Sequence, residues 1–386
     1  MFLSVMPTKY DVFAKLIEKS PCRESELGFK TEVFVQLKEL VKFGWIKEQN
    51  KSYAPIKNDK TIYAFKIIKY CIKNNLDYNL FFSKNIPLIL NELIKNTPNL
   101  RPPKLKNNKD ILDVLSYLED NQFMLVHKKR PYRGVILRHQ LFENISGFFD
   151  SKLKVPKPNL FFEEVELKVK KIKGKPVNPF DEEIFSFLAG SAQLEGATIS
   201  VGETRELLVN DIYPDKPQKD IQMVKNLNEA LLYVLENIDE EITEEHIKKI
   251  NYLVMFSMHR HAGKYKITQN KIQGNPNFKT TIPSKVPEHM NHYCSEIKKI
   301  NSNNCLDKLG WIHNEFQRIH PFADGNSRTT RMILNWIMIK NGFPLIVLKM
   351  GAFDEYMNLT KLSKKRDDDE LTQLFWNILI HEEIKK

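Results

Sequence analysis

A chain of 386 residues, 42% hydrophobic and 28% charged, has room for two or three cores. No apolar run approaches the roughly 18 residues of a membrane helix. The N-terminal MFLSVMPTKYDVF lacks the basic region and small-residue cleavage site of a signal peptide, so a cytoplasmic chain is expected. The net charge of +11 suits nucleic acid, anionic nucleotides or acidic partners, and equally a surface of dispersed, solvated lysines. Cys22, Cys71, Cys294 and Cys305 lie far apart, which argues against a zinc knuckle or a redox pair and for reduced, buried thiols.

In chain order, TKYDVFAKLIEKS places Phe13, Leu16 and Ile17 at helical spacing. A second helical stretch follows, with Val33, Leu37, Leu40 and Val41 on one stripe and Gly44 as its stop. WIKEQNKSYAPI then reads as two short strands around Gln49-Asn50-Lys51. Helix, helix and basic wing resemble a winged-helix domain over residues 1–60. Such a domain can place its second helix in a DNA major groove, or serve as a protein-binding or dimerisation module. Residues 61–157 read as a helical region with a helix–strand–turn–strand segment, open to a second winged-helix unit. The Lys- and Pro-rich stretches KVPKPNL and KKIKGKPVNPF suit a linker, and the main boundary is expected near residue 157.

From residue 178 the pattern is mainly helical. In NPFDEEIFSFLAGSAQLEG, Asn178 reads as an N-cap, Pro179 as a first-turn residue and Gly196 as the stop. Ser200 and Glu203 form a capping box for the next helix. KYKITQNKIQGNPNFKTTIP, with Gly274-Asn275-Pro276 at its middle, reads as a hairpin, and His259 and His261 as the end of a helix.

The densest chemistry lies in HPFADGNSRTTR, residues 320–331. Leu309, Ile312, Phe316 and Ile319 mark a buried helix before it, and RMILNWIMIKNG a buried helix after it. The loop between them presents free backbone N–H groups and the positive end of a helix dipole, an anion site by construction. Gly325 permits close backbone approach. Arg328 and Arg331 share one helix face against the dipole preference, which suggests that they serve an anion. Asp324 is a hard oxygen ligand suited to Mg²⁺. His320 is a base of suitable strength at the loop entrance.

This stretch resembles the Fic-family motif, H-P-F-x-D/E-G-N-G-R-x-x-R, and the resemblance extends over roughly residues 158–345. It implies a Fic-type helical core with a β-hairpin flap, preceded by the winged-helix (α+β) region: a mainly α fold. It also implies transfer of AMP from ATP to a Ser, Thr or Tyr hydroxyl of a protein, this chain included. His320 would take the hydroxyl proton and Asp324 would hold Mg²⁺. Asn326 and the loop backbone around Gly325 would hold the α-phosphate, Arg328 the β-phosphate and Arg331 the γ-phosphate. Ser327 stands where the family has Gly, so an altered rate or nucleotide preference is expected.

SAQLEG, residues 191–196, is similar to the family's inhibitory motif S/T-x-x-x-E-G/N, carried here by Ser191, Glu195 and Gly196. The resemblance implies an inhibitory helix near 178–196 whose Glu195 pairs with Arg331 and blocks the γ-phosphate position. The hairpin near 268–282 resembles the family flap that registers a protein substrate by strand addition. The rival readings are a DNA-binding regulator that uses the core as a nucleotide sensor, and an enzyme that removes AMP. A homodimer remains open.

Overall fold

A computed structural model of the chain describes residues 6–99, 108–272 and 274–385. The first elements are α1 (Lys9–Lys19), α2 (Phe34–Lys42), β1 (Ile46–Gln49) and β2 (Ser52–Pro55). They are followed by α3 (Asp59–Lys73), α4 (Tyr78–Phe81), α5 (Ile86–Asn96), α6 (Asn108–Asp120), β3 (Met124–Lys129), β4 (Tyr132–Ile136) and α7 (Gln140–Phe148). Then come α8 (Glu163–Val169), α9 (Glu182–Gln193), α10 (Val201–Val209), α11 (Gln218–Glu236) and α12 (Glu244–Val254). The last are α13 (Val286–Ile297), α14 (Leu309–Ile319), α15 (Asn326–Lys340), α16 (Phe353–Leu359) and α17 (Asp368–Lys385). The protein is mainly helical. The stretch considered as a signal peptide begins in residues 1–5, outside those described. Among the described residues no helix is long and apolar enough to cross a membrane.

The chain divides into two compact units and passes between them more than once: within α6 after Val114, back after His139, and again after Pro156. The first unit contains α1 to α5, β1, β2 and α7. Thr8 caps α1 reciprocally: its hydroxyl accepts from Asp11 N at 3.2 Å, and its own N–H donates to the Asp11 carboxylate at 2.6 Å. A short 3₁₀ turn, Glu24–Leu27, precedes α2. Asn50 and Lys51, with φ of 53° and 60°, close the β1–β2 hairpin, and Cys22 bridges to Tyr53 beside it. Trp45 gathers the core, with Phe13 at 5.1 Å and Phe148 at 5.5 Å, both edge-on.

The second unit contains β3, β4 and α8 to α17. Its axis is α15, whose residues are buried from Asn326 to Met338. That complete burial is why RMILNWIMIKNG is apolar all round rather than striped. Helices α14, α12, α11 and α9 pack on it, and α17 packs on α14. The hairpin β3–β4, expected to complete a second winged-helix unit over 61–157, instead lies on α17. There Val126 N donates to His381 Nδ1 at 3.0 Å, a buried bond. Residues 115–139 therefore fold with the segment beyond 157.

Two further expectations are corrected. The cap position of α9 is Asp181, not Asn178, whose amide oxygen accepts from Phe180 N at 3.1 Å in a turn before the helix. Among the described residues, 267–282 form no paired strands. The amides of Asn and Gln take over the bonds that a ladder would have made: Gln269 Nε2 donates to the Thr280 carbonyl at 3.0 Å, and Asn275 Nδ2 to the Lys361 and Ser363 carbonyls at 3.0 and 2.9 Å. The flap is a side-chain-braced loop.

Arg138 makes a bidentate pair with the fully buried Glu355 of α16, at 2.8 and 2.7 Å. Replacing Arg138 by Met strands that carboxylate. Urea unfolding should show a loss of about 3 kcal/mol, and an unchanged midpoint would rule out this pair as a support of α16.

Candidate functional site

The loop from His320 to Gly325 joins α14 to α15. His320 ends α14 in a left-handed conformation, φ 50° and ψ 60°, with its N–H on the Phe316 carbonyl at 2.8 Å. A non-glycine residue held there marks local strain, which concentrates at functional sites. Gly325 begins α15 with φ 78°, and a Cβ on it would stand 2.6 Å from Met255 and 2.9 Å from the Asn251 amide. Only glycine suits that position on both counts.

Asn251, in the middle of α12, clamps the same turn. Its amide donates to the Asp324 carbonyl at 3.0 Å and to Thr329 Oγ1 at 3.1 Å, while its oxygen accepts from Gly263 N at 3.0 Å. Asn326 was expected to reach an α-phosphate, but its side chain is engaged within the loop. Its oxygen accepts from Phe322 N at 3.0 Å and its amide donates to the Phe322 carbonyl at 2.8 Å. Asn326 therefore braces the loop, and an anion would meet the first-turn N–H groups of α15, which have no partners within the helix.

Arg328 and Arg331 are each 4% exposed, so these are buried guanidinium groups rather than surface charges. Arg328 Nη2 lies 3.5 Å from the Asp324 carboxylate, and its Nε has no hydrogen-bond partner. The Ser327 hydroxyl is likewise buried and unpartnered. Unsatisfied buried polar atoms carry a desolvation cost of about 1–3 kcal/mol each, and two of them in the first turn of α15 suit a place for a polar ligand. The Asp324 side chain is 58% exposed at the rim, with one oxygen accepting from Gly325 N at 2.6 Å. One open carboxylate beside an anion site is a suitable donor for Mg²⁺, which takes one or two carboxylates plus phosphates and water.

Arg331 is held from α9. Its Nε donates to Ser191 Oγ at 2.8 Å, and its Nη2 to the Ser191 carbonyl and to Glu195, both at 2.9 Å. Glu195 lies just past the end of α9, in a turn closed by Gly196 at φ 90°. Burial works to raise the Glu195 pKa, but Arg331, Lys361 and Arg328 outweigh it and bring it down to about 2. The carboxylate is ionised. Burial, then the charges of Lys361 and Lys266, push the His320 pKa down to about 3, against the Gln317 carbonyl and Glu195. Its imidazole is neutral and able to accept a proton.

Besides Asn251, four contributors were not singled out by the sequence. His313 Nε2 lies 2.7 Å from the Tyr356 hydroxyl, and Tyr356 in turn bonds Arg331. Lys266, 3% exposed, puts its ammonium 3.2 Å from Thr280 Oγ1 and 3.4 Å from the Ile319 carbonyl, at the base of the flap. Lys361 adds a cation from the segment after α16 that acts on Glu195, Arg331 and Arg328. Only Asn251 and His313 left a trace, as polar residues inside apolar helical stretches. His259 and His261 lie in turns beyond α12, which ends at Val254, rather than on a helix.

Burial also pushes the His313 pKa down to about 3, so both histidines are folded in the neutral form. Their stabilising contribution is complete above the unfolded value near 6.5 and is lost as pH falls from there towards 3. Stability should decline between pH 6.5 and 4, and His313→Gln should flatten that decline by up to about 1.4 kcal/mol per pH unit. Parallel curves for the two proteins would contradict a neutral buried His313.

Residues 241–338 match the Fic/DOC family. The chain is 27% identical over 190 residues to protein adenylyltransferase fic-1 of Caenorhabditis briggsae, covering 45% of this chain and 36% of that protein. It is 28% identical over 187 residues to protein adenylyltransferase Fic of Nematostella vectensis, covering 46% and 43%. The matched part is thus well under half the length of these curated relatives. A Fic-domain signaling protein from Bacteroides thetaiotaomicron aligns over 58% of this chain and 94% of its own, with 19% identity and a TM-score of 0.48. The loop that carries His320, Asp324, Arg328 and Arg331 lies within 241–338, the span over which this chain is similar to the Fic/DOC family.

Proposed function

We propose that the chain transfers AMP from ATP to a protein hydroxyl and is held in check by Glu195. The observation that carries this reading is the environment of Arg331: a buried guanidinium at the mouth of an anion-binding helix terminus, engaged by Ser191 and Glu195. Neutral His320 takes the proton from the target Ser, Thr or Tyr hydroxyl. The freed oxygen forms a bond to the α-phosphorus, and the bond from that phosphorus to its β-bridging oxygen breaks. Pyrophosphate leaves towards Arg328 and Arg331, whose charges stabilise it. Asp324 would hold Mg²⁺, which would supply neutralisation of phosphate charge there. Ser327 Oγ and Arg328 Nε are unused donors in the first turn of α15. With Arg331 turned to Glu195, the γ-phosphate has no arginine to meet, and release of Glu195 activates the enzyme.

Purified chain, its Glu195→Gly variant and a His320→Ala control, each incubated with α-labelled ATP and Mg²⁺, test this reading. We expect label on protein to rise at least about tenfold in Glu195→Gly, equivalent to about 1.4 kcal/mol, and to be absent from the control. Equal labelling of the wild type and Glu195→Gly would remove the inhibitory role. Loss of a de-AMPylating activity in Glu195→Gly would reverse the direction of the reaction.

A second reading concerns the first unit. The succession of α1, a 3₁₀ turn, α2 and the β1–β2 hairpin, with Lys38, Lys42, Lys47 and Lys51 along α2 and the hairpin, supports a winged-helix unit that binds DNA. Anisotropy with labelled duplex DNA between about 50 and 200 mM salt should show affinity falling steeply. Binding that ignores salt, or none at low salt, would leave this unit as a protein-binding module, to which the exposed Phe34, Val35 and Phe43 are suited.

A further inference from the structure

Beside the braced flap lies a cavity of about 200 Å³ that none of the groups above uses. Its wall carries four cations, Lys279 of the flap, Arg318 of α14, and Lys364 and Arg366 of the segment after α16. None of its lining residues is acidic, and Asn277 and Asn314 add amides. The two arginines are oriented from behind. Arg318 donates to both oxygens of Glu315, at 3.1, 3.1 and 2.5 Å, and Arg366 donates to Glu315 and to Asp368. These two carboxylates, with His289 Nδ1 at 3.1 Å from Arg318 Nη2, take up most of the guanidinium N–H groups, so the positive charge left to the cavity is that of Lys279 and Lys364. The Arg318 Nη1 contact is a long one, 3.4 Å to Thr281 Oγ1. Lys279 and Lys364 are exposed at the rim.

We infer that this cavity receives the carboxylate of an acidic side chain of the protein substrate, close to the hydroxyl that is modified. The inference rests on the transferase reading. Three features select the occupant. The volume is below the roughly 300–1,000 Å³ of small-molecule sites, and suits one side chain. The two ammonium groups of Lys279 and Lys364 suit a carboxylate, while the guanidinium groups and the Asn314 amide, engaged by Glu315 and Asp368, shape the wall behind them. The position fixes the distance, because Arg318 precedes His320 by two residues and its carbonyl accepts from Thr281 N of the flap at 3.0 Å. Two residues of chain reach at most about 7 Å. This limit applies to the two backbones, and with the side chains added an acidic residue bound here would lie within several positions of a hydroxyl at His320, along a target segment laid on the flap. Substrate choice becomes a matter of charge at one register.

The test uses the full chain in its Glu195→Gly form with α-labelled ATP and Mg²⁺. The substrates are synthetic peptides containing a single Ser, Thr or Tyr, with Glu, Gln or Lys at each of the neighbouring positions in turn. Self-labelling of the enzyme is recorded in the same reaction. We expect Glu to exceed Gln at one register by about tenfold, the effect of about 1.4 kcal/mol. The Lys279→Glu/Lys364→Glu double variant should invert the preference towards Lys at that same register. Lys365→Glu, a charge change on the same segment outside the cavity lining, should leave it in place. Labelled peptides with no charge preference, or self-labelling with no acid-flanked peptide labelled, would overturn the inference while the transferase reading stands. A rise in the KM for ATP in the double variant with unchanged peptide preference would overturn it as well, assigning the cavity to the nucleotide. Absence of all label, self-labelling included, would instead remove the transferase reading, and this inference with it.

Discussion

A buried guanidinium cannot be left without anions, and Arg331 is the point on which the site turns. At 4% exposure it depends on the groups that face it, and the desolvation of an unpaired charge there would cost several kcal/mol. α9 meets this need with Ser191 and Glu195, and Tyr356 approaches from the other side. Many neighbouring features follow from keeping that cation in place. α15 is buried along most of its length so that its first turn presents Arg328 and Arg331 inward. Gly196 turns the chain so that a carboxylate arrives where a helix end alone would disfavour it. A triphosphate and Glu195 are chemically alternative answers to the same demand, which is the physical basis of the proposed inhibition.

His320 is governed by the same distribution of charge. Lys361 and Lys266 oppose its protonation and Glu195 favours it, on top of strong burial. A base in such surroundings stays neutral, and its strained backbone is held by the Phe316 carbonyl on one side and the bond from Lys266 to the Ile319 carbonyl on the other. The cations therefore act twice in the proposed reaction. They would attract phosphate, and they weaken the imidazole as a base, an effect that the negative charge of a bound triphosphate would offset.

The loop motif was legible because its polar groups are contiguous, from His320 to Arg331, between two apolar helices. Glu195 was legible because a short local pattern, SAQLEG, announces it. Asn251, His313, Tyr356, Lys266 and Lys361 were not, since each reaches the site from another segment and only packing brings them together. The bracing role of Asn326 was not legible for a related reason: sequence places an amide beside the phosphates and does not show that the Phe322 backbone, four residues earlier, takes both of its bonds. Strand propensity over 268–282 failed because Asn and Gln amides competed successfully for the carbonyls. The hairpin β3–β4 was read correctly as strands, but its partner α17 lies some 250 residues further on, beyond any local pattern.

The two α9 contacts with Arg331 differ in kind. Ser191 belongs to the helix proper, where its backbone is fixed by the helical bonds, whereas Glu195 belongs to the turn that follows. A carboxylate in a turn can swing away through a few dihedral angles without unwinding a single helical residue. Throughout such a swing the hydroxyl and carbonyl of Ser191 keep hold of the guanidinium. In the proposed inhibition, the exchange of one anion for another would be a hand-over on a fixed mount, in which the arginine would not have to find its geometry anew.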